Sequence, residues 1–130
     1  MTDPVITALA RGGIVEITTR DRRSGDPHRI TVGLYNIDRH LYISDKPGKR
    51  DWYANLQAEP KFTIHFSRGV NADVPAVAEM VGDQKLRKVL IEKVMVSGHG
   101  MSAARAAREF NQWMALSPLV IVHAQWPGWV

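Results

Sequence analysis

In the stretch Ile14–Ile37, IVEITTRDRRSGDPHRITVGLYNI, two β-branched runs flank a charged turn. Ile14, Glu16 and Thr18 alternate with Val15, Ile17 and Thr19. After the turn, Ile30, Val32 and Leu34 alternate with Arg29, Thr31 and Tyr35. Period-two alternation places successive side chains on opposite faces, so the sequence predicts a strand over 14–19, a turn over 21–27 and a half-buried strand over 28–37. Asp38-Arg39-His40 turns the chain into a third strand, Leu41-Tyr42-Ile43, which completes a β-meander.

Upstream, Asp3-Pro4 is an N-cap acceptor followed by a residue suited to the first helical position, and Gly12-Gly13 ends the segment. A helix is expected over 4–11. Downstream, Asp45-Lys46-Pro47-Gly48-Lys49 reads as a loop, and Trp52, Tyr53, Leu56 and Gln57 have helical spacing up to Glu59-Pro60, giving a crossover helix over 50–58. Strands follow over 61–67, where Phe62, Ile64 and Phe66 alternate with Thr63 and His65, and over 75–81. Asp83 caps a helix whose apolar face is expected to be Leu86, Val89, Leu90, Val94 and Val96, with Lys85, Arg87, Lys88, Glu92 and Lys93 towards solvent. Ser102 caps a further helix through Phe110, Trp113 and Leu116, and Pro118 opens a last strand over 119–126.

Six strands, one crossover helix after the third and two helices before the last predict an α+β fold: a small closed or partly closed antiparallel barrel carrying helices. At 130 residues the chain suits one domain, residues 1–130. There is no βαβα alternation, and neither G-x-G-x-x-G nor G-x-x-x-x-G-K-[ST] occurs, which leaves the usual parallel-sheet phosphate motifs out. The absence of cysteine excludes disulfides, thiolate metal sites and cysteine nucleophiles, and suits a reducing compartment. The N-terminus has no signal-peptide pattern, and no apolar run approaches the ~20 residues of a membrane span. A cytoplasmic protein without membrane insertion is expected.

The formal net charge is +4, with 11 basic and 8 acidic residues up to position 70 and 6 and 5 beyond it. Two basic loops carry the surplus. Arg22, Arg23, Ser24 and Gly25 lie in the first turn, where guanidinium forks, a hydroxyl and a close-approaching backbone N–H can cradle a phosphate. Lys46, Lys49 and Arg50 stand at the start of the crossover helix, where cations disfavour the helix itself but favour an anion held there. Both loops also read as solvated charged turns. Single-stranded nucleic acid is the competing anionic partner, but Asp21, Asp26, Asp45 and Asp51 interrupt the basic turns, and a compact anion suits them better. His28, His40, His65, His99 and His123 form no H-x-H or H-x-x-x-H pair, so no metal site is expected. Core packing is expected first for Tyr53, and His99, between two glycines, reads as part of an interhelical loop, with a mobile segment over a pocket as the alternative.

The run Ile17-Thr18-Thr19-Arg20-Asp21-Arg22-Arg23-Ser24-Gly25-Asp26-Pro27, the basic loop after it, Trp52-Tyr53-Ala54-Asn55-Leu56 and Glu59-Pro60 resemble the deazaflavin (F420)-dependent nitroreductase and quinone reductase family. Asp73-Val74-Pro75-Ala76 and Ser117-Pro118-Leu119-Val120 follow the same pattern more faintly. The resemblance implies a split β-barrel of the FMN-binding superfamily, usually a homodimer. It implies an oxidoreductase that passes hydride from reduced coenzyme F420 to a small quinone, nitro compound or activated alkene. An FMN-dependent enzyme, or a carrier of flavin or deazaflavin without turnover, is the alternative. It further implies that Arg22, Arg23, Ser24, Gly25, Lys46, Lys49 and Arg50 hold the cofactor's phosphate and acidic tail. Thr18, Thr19 and Ser44 would face one pocket and meet the ring, with Trp52 and Asn55 shaping the wall. No catalytic side chain is implied, because the cofactor carries the hydride. Asp21 departs from the family's usual Gly; its carboxylate either repels an anionic tail or is turned outward by Arg20.

Overall fold

A computed structural model describes residues 3–129. The elements in order are α1 (Pro4–Arg11), β1 (Gly13–Arg20), β2 (Pro27–Ile37), β3 (His40–Ser44), α2 (Asp51–Ala58), β4 (Lys61–Phe66), β5 (Ala72–Met80), α3 (Gln84–Lys93), a π-turn (Val94–Gly98), α4 (Ala103–Leu116) and β6 (Leu119–Ala124). The strands close into a barrel in the order β1-β2-β3-β6-β5-β4, with every neighbouring pair antiparallel. The expected six-stranded α+β barrel is therefore the architecture, and it is fully closed.

The three cap residues start their helices as their chemistry dictates. Asp3 accepts from the Val5 N–H at 2.8 Å, Asp83 from Lys85 at 2.9 Å and Ser102 from Arg105 at 3.1 Å. Inward-facing residues of all six strands, among them Ile17, Leu34, Ile43, Ile64, Val74 and Val120, fill the barrel. One end is closed by Val5, Ala8 and Leu9 of α1, and Trp52 and Leu56 of α2 join the same core. A second core lies outside the barrel, where Tyr42 and Leu119 of the sheet meet Leu90, Ile91, Val94, Met95 and Trp113 of the helical layer.

Two expectations of burial are corrected. On α3 the buried side chains are Arg87, Leu90 and Ile91, whereas Leu86 and Val89 are exposed, as is Val96 beyond the helix. Arg87, assigned to solvent from the sequence, turns inward because three main-chain carbonyls of the α4 C-terminus receive its guanidinium: Met114 at 2.9 Å, Trp113 at 3.3 Å and Ser117 at 2.7 Å. On α2, Trp52 is buried in the core, and Tyr53 packs against the same core partly buried, as expected.

Candidate functional site

Antiparallel pairing of β1 with β2 and of β2 with β3 makes β1 and β3 run the same way, so the turn after β1 and the loop after β3 emerge at one end of the barrel. The first turn is built by Asp21. Its Oδ1 accepts from the backbone N–H groups of Arg23 at 2.8 Å and Ser24 at 2.9 Å and from the Ser24 hydroxyl at 3.3 Å. The bonds from Ser24 and Arg23 hold its carboxyl below the ordinary carboxylate range. Asp21 is thus the nucleus of the turn. Arg20 does not turn it outward; the Arg20 guanidinium instead donates to the Gly25 carbonyl at 3.1 Å, and Gly25 takes a positive φ of 78°.

Arg22 fastens this turn to α2. Its backbone N–H and guanidinium both donate to Asn55 Oδ1, at 3.1 and 2.9 Å, and the guanidinium lies 3.5 Å from Asp51. Asn55 is buried and acts as a latch, while Asp51 is exposed, so the latch matters more than the ion pair. In the second loop Arg50 is likewise engaged, with Asp45 at 3.0 Å and with the carbonyls of Lys49 and Lys46. Three cations remain: the side chains of Arg23, Lys46 and Lys49 make no hydrogen bond or ion pair among the described residues. They lie on the two loops that meet at the N-terminus of α2, and Arg50 gives that terminus no side-chain cap. The donors present, free ammonium and guanidinium groups beside uncapped N–H groups, match a phosphate or carboxylate. The second loop is held from behind, because Ser117 Oγ donates to the Asp45 carbonyl at 2.7 Å and the Gly48 N–H to the Leu116 carbonyl at 3.0 Å. Lys49, Arg50, Tyr53 and Arg87 line a cleft of about 460 Å³ there.

The expected common pocket of Thr18, Thr19 and Ser44 is not formed, for the reason that makes strands alternate. Thr19 points into the barrel, 1% exposed, and its Oγ1 has no partner among the described residues. Thr18 points outward, where its Oγ1 lies 2.6 Å from His65 Nε2, and His65 Nδ1 lies 2.7 Å from Asp73 Oδ1. This hydroxyl–imidazole–carboxylate chain across β1, β4 and β5 was not read from the sequence. Outward alternation on the strands is the only local signal for it.

Ser44 faces the helical layer, and its Oγ lies 3.4 Å from His99 Nε2. His99 is no ordinary loop residue. It follows the π-turn, whose last bond runs from the His99 N–H to the Val94 carbonyl at 2.7 Å. Its ring is flanked by Tyr35, at a centroid distance of 4.9 Å, and by Trp113, at 4.8 Å. Gly98 permits this packing, since a Cβ there would stand 3.1 Å from the Tyr35 ring. Burial pushes the His99 pKa below the usual 6.5; Asp45 opposes that shift, and Lys46 and Arg105 add to it. The unfolded chain therefore takes up this proton first, and the contribution of neutral His99 to stability, present above about pH 6.5, is lost as pH falls towards the folded pKa. Expected: on acidification through that window the melting temperature of wild type falls more than that of His99→Gln, measured by thermal unfolding at a pH series. Equal falls would refute the assignment.

No family model and no curated protein sequence matches the chain. Solved structures match in fold. A conserved hypothetical protein from Mycobacterium tuberculosis is 17% identical, with a TM-score of 0.67 over 97% of this chain and 82% of that one. An F420 reductase is 16% identical, with a TM-score of 0.63 over 97% of both chains. A heme storage protein from Vibrio cholerae is 16% identical, with a TM-score of 0.59 over 95% of this chain and 88% of that one. The fold is thus one shared by flavin-type oxidoreductases and by proteins of other function, and the chemistry must be argued from the site. No described helix is long and apolar enough to cross a membrane.

Proposed function

We propose that this chain is a deazaflavin-dependent oxidoreductase: it binds coenzyme F420 through the anionic end and serves hydride transfer to a small acceptor such as a quinone, nitro compound or activated alkene. The observation that carries this reading is the meeting of two basic loops at the uncapped start of α2, with Arg23, Lys46 and Lys49 left without side-chain partners among the described residues. When bound, the cofactor supplies the hydride. The protein's own residues bind and orient: Arg23, Lys46, Lys49 and the first-turn N–H groups of α2 take the anionic tail, while Arg22, Asn55 and Asp21 hold the turn in place. The Ser24 hydroxyl donates to Asp21 Oδ1 and the Gly25 N–H to the Asp21 carbonyl at 2.8 Å, so both shape the turn rather than meet the anion. Arg50 and Trp52 serve the scaffold, and Thr19, sealed in the barrel, takes no part. A homodimer in the cytoplasm belongs to the same proposal.

FMN is the second reading, because its phosphate presents the same charge to the same loops. Titration of the protein with F420 and with FMN, followed by fluorescence and then by turnover with a quinone, separates them. Tight F420 binding with turnover supports the first reading, FMN binding alone supports the second, and binding of neither refutes both. Arg23→Ala/Lys46→Ala is expected to weaken cofactor binding by roughly 100-fold without lowering the melting temperature, since neither side chain supports the fold. An unchanged affinity in that variant would remove these residues from the site.

A further inference from the structure

The hydroxyl–imidazole–carboxylate chain on the outer face of the sheet has no part in the reading above, and its geometry is that of an activated nucleophile. Thr18 Oγ1 lies 2.6 Å from His65 Nε2, and His65 Nδ1 lies 2.7 Å from Asp73 Oδ1. With the carboxylate accepting the Nδ1 proton, Nε2 is left to accept from the Thr18 hydroxyl. Glu16 is the residue directly opposite His65 on β1, but its carboxylate is drawn to Arg29 on β2 at 3.1 Å, so the imidazole keeps Thr18 and Asp73 as its partners. Thr18 also opens onto a cavity. The ladder between β1 and β4 ends at the pair Thr18 and Thr63; Arg20 and Lys61, which continue the two strands, are no longer paired with each other, and a cleft of about 280 Å³ lined by Thr18, Arg20, Lys61 and Thr63 lies at this fork. We propose that Thr18 is the nucleophile of a separate hydrolytic site that takes the acyl group of small carboxylic esters, with His65 as its base and Asp73 as the positioning residue. None of the cations assigned to the cofactor lines this cleft, so the proposal stands apart from the reductase reading.

The step balances as follows. Thr18 Oγ1 adds to the ester carbonyl carbon, its proton passes to His65 Nε2, and the carbonyl pair moves onto oxygen. That oxygen develops its charge in a cleft whose charged groups are Arg20, Lys61 and Glu59, a surplus of one cation. Collapse of the adduct breaks the bond to the leaving oxygen, which takes the Nε2 proton and departs as the alcohol. Water then gives a proton to Nε2, adds to the acyl group and releases the carboxylic acid, and Thr18 Oγ1 regains its proton. The cleft lies just below the roughly 300 Å³ at which sites for drug-sized ligands begin, so the substrate is a short acyl ester. Asp73 is 76% exposed in its side chain while His65 is 13% exposed, so the carboxylate orients a sheltered ring and its own charge is screened.

The test uses the full chain without cofactor and p-nitrophenyl acetate, read by nitrophenolate release and by peptide mass after acid quenching. Wild type is expected to carry one acetyl group on the peptide containing Thr18. Thr18→Val, which keeps the β-branched shape, and His65→Gln are each expected to lower kcat about 100-fold, and the double variant is expected to be no slower than either, because the two groups act as a unit. Thr18→Ser is expected to retain turnover. Asp73→Asn is expected to lower kcat about 10-fold at unchanged KM, and Asp73→Glu to recover most of the loss. If His65→Gln does not fold, Thr18→Val and the acetylated peptide carry the test. Unchanged turnover in Thr18→Val would overturn the proposal, as would acetyl groups confined to lysines or to other histidines, or a wild type no faster than free imidazole at the same concentration.

Discussion

Gly12→Ala is expected to destabilise the protein by about 3–4 kcal/mol, which urea unfolding would read as a lower midpoint at unchanged slope. Two costs combine at this position. Gly12 has φ 62° and ψ −140°, a conformation that residues with a Cβ avoid. A Cβ there would also stand 2.6 Å from the Leu34 carbonyl oxygen. That oxygen belongs to β2, whose Leu34 pairs with Gly13 in the barrel ladder and is itself 1% exposed, so it has little room to retreat. The neighbouring glycine is the control. Gly13 has φ 95° but nothing within 4 Å of a new Cβ, so Gly13→Ala is expected to cost only the conformational part, about 1–2 kcal/mol. Equal losses in the two variants would show that the contact with Leu34 contributes nothing.

The pair Gly12-Gly13 also marks what the sequence could reveal. That a helix ends there is a local statement, and so are the caps at Asp3, Asp83 and Ser102 and the alternation of β1, β2 and β4; each depends on residues a few positions apart. That Gly12 must be glycine depends on β2, and no local pattern carries it. The same division explains α3. Leu86, Val89 and Leu90 form one plausible apolar stripe, and Leu90, Ile91, Val94 and Met95 another. The choice between them was made by carbonyls at the far end of α4, which recruit Arg87 into the interior. At the candidate site the sequence identified both basic loops, because charge clustering is local. It could not tell the spent cations, Arg22 and Arg50, from the free ones, because their partners Asn55 and Asp45 are assigned by packing. It grouped Thr18 with Thr19, although adjacent strand positions face opposite ways, and it passed over His99, whose neighbours Tyr35, Ser44 and Trp113 come from three different elements.

Arg87→Met is expected to cost about 3 kcal/mol, a fall of roughly 10 °C in melting temperature for a chain of this size. Methionine keeps most of the packing volume, so the loss isolates the hydrogen bonds. The last carbonyls of a helix have no partners within it, and at the end of α4 those of Met114 and Ser117 are met by a guanidinium that also suits the negative end of the helix dipole. Removing it leaves buried acceptors unpaired, the more expensive way to lose a hydrogen bond. Arg87→Lys is expected to recover less than half of the loss, because one ammonium cannot present the forked donors that serve three carbonyls. The consequence reaches the candidate site. Leu116 and Ser117 hold the loop that carries Lys46 and Lys49, through Gly48 and the Asp45 carbonyl, so a frayed α4 terminus releases that loop. Arg87→Met is therefore expected to weaken binding of the anionic cofactor several-fold even under conditions where the variant is fully folded, although Arg87 is not assigned to the anion itself. A variant within about 0.5 kcal/mol of wild type would mean that water replaces the guanidinium at no cost. A destabilised variant with unchanged affinity would show that the loop keeps its shape without the helix end behind it.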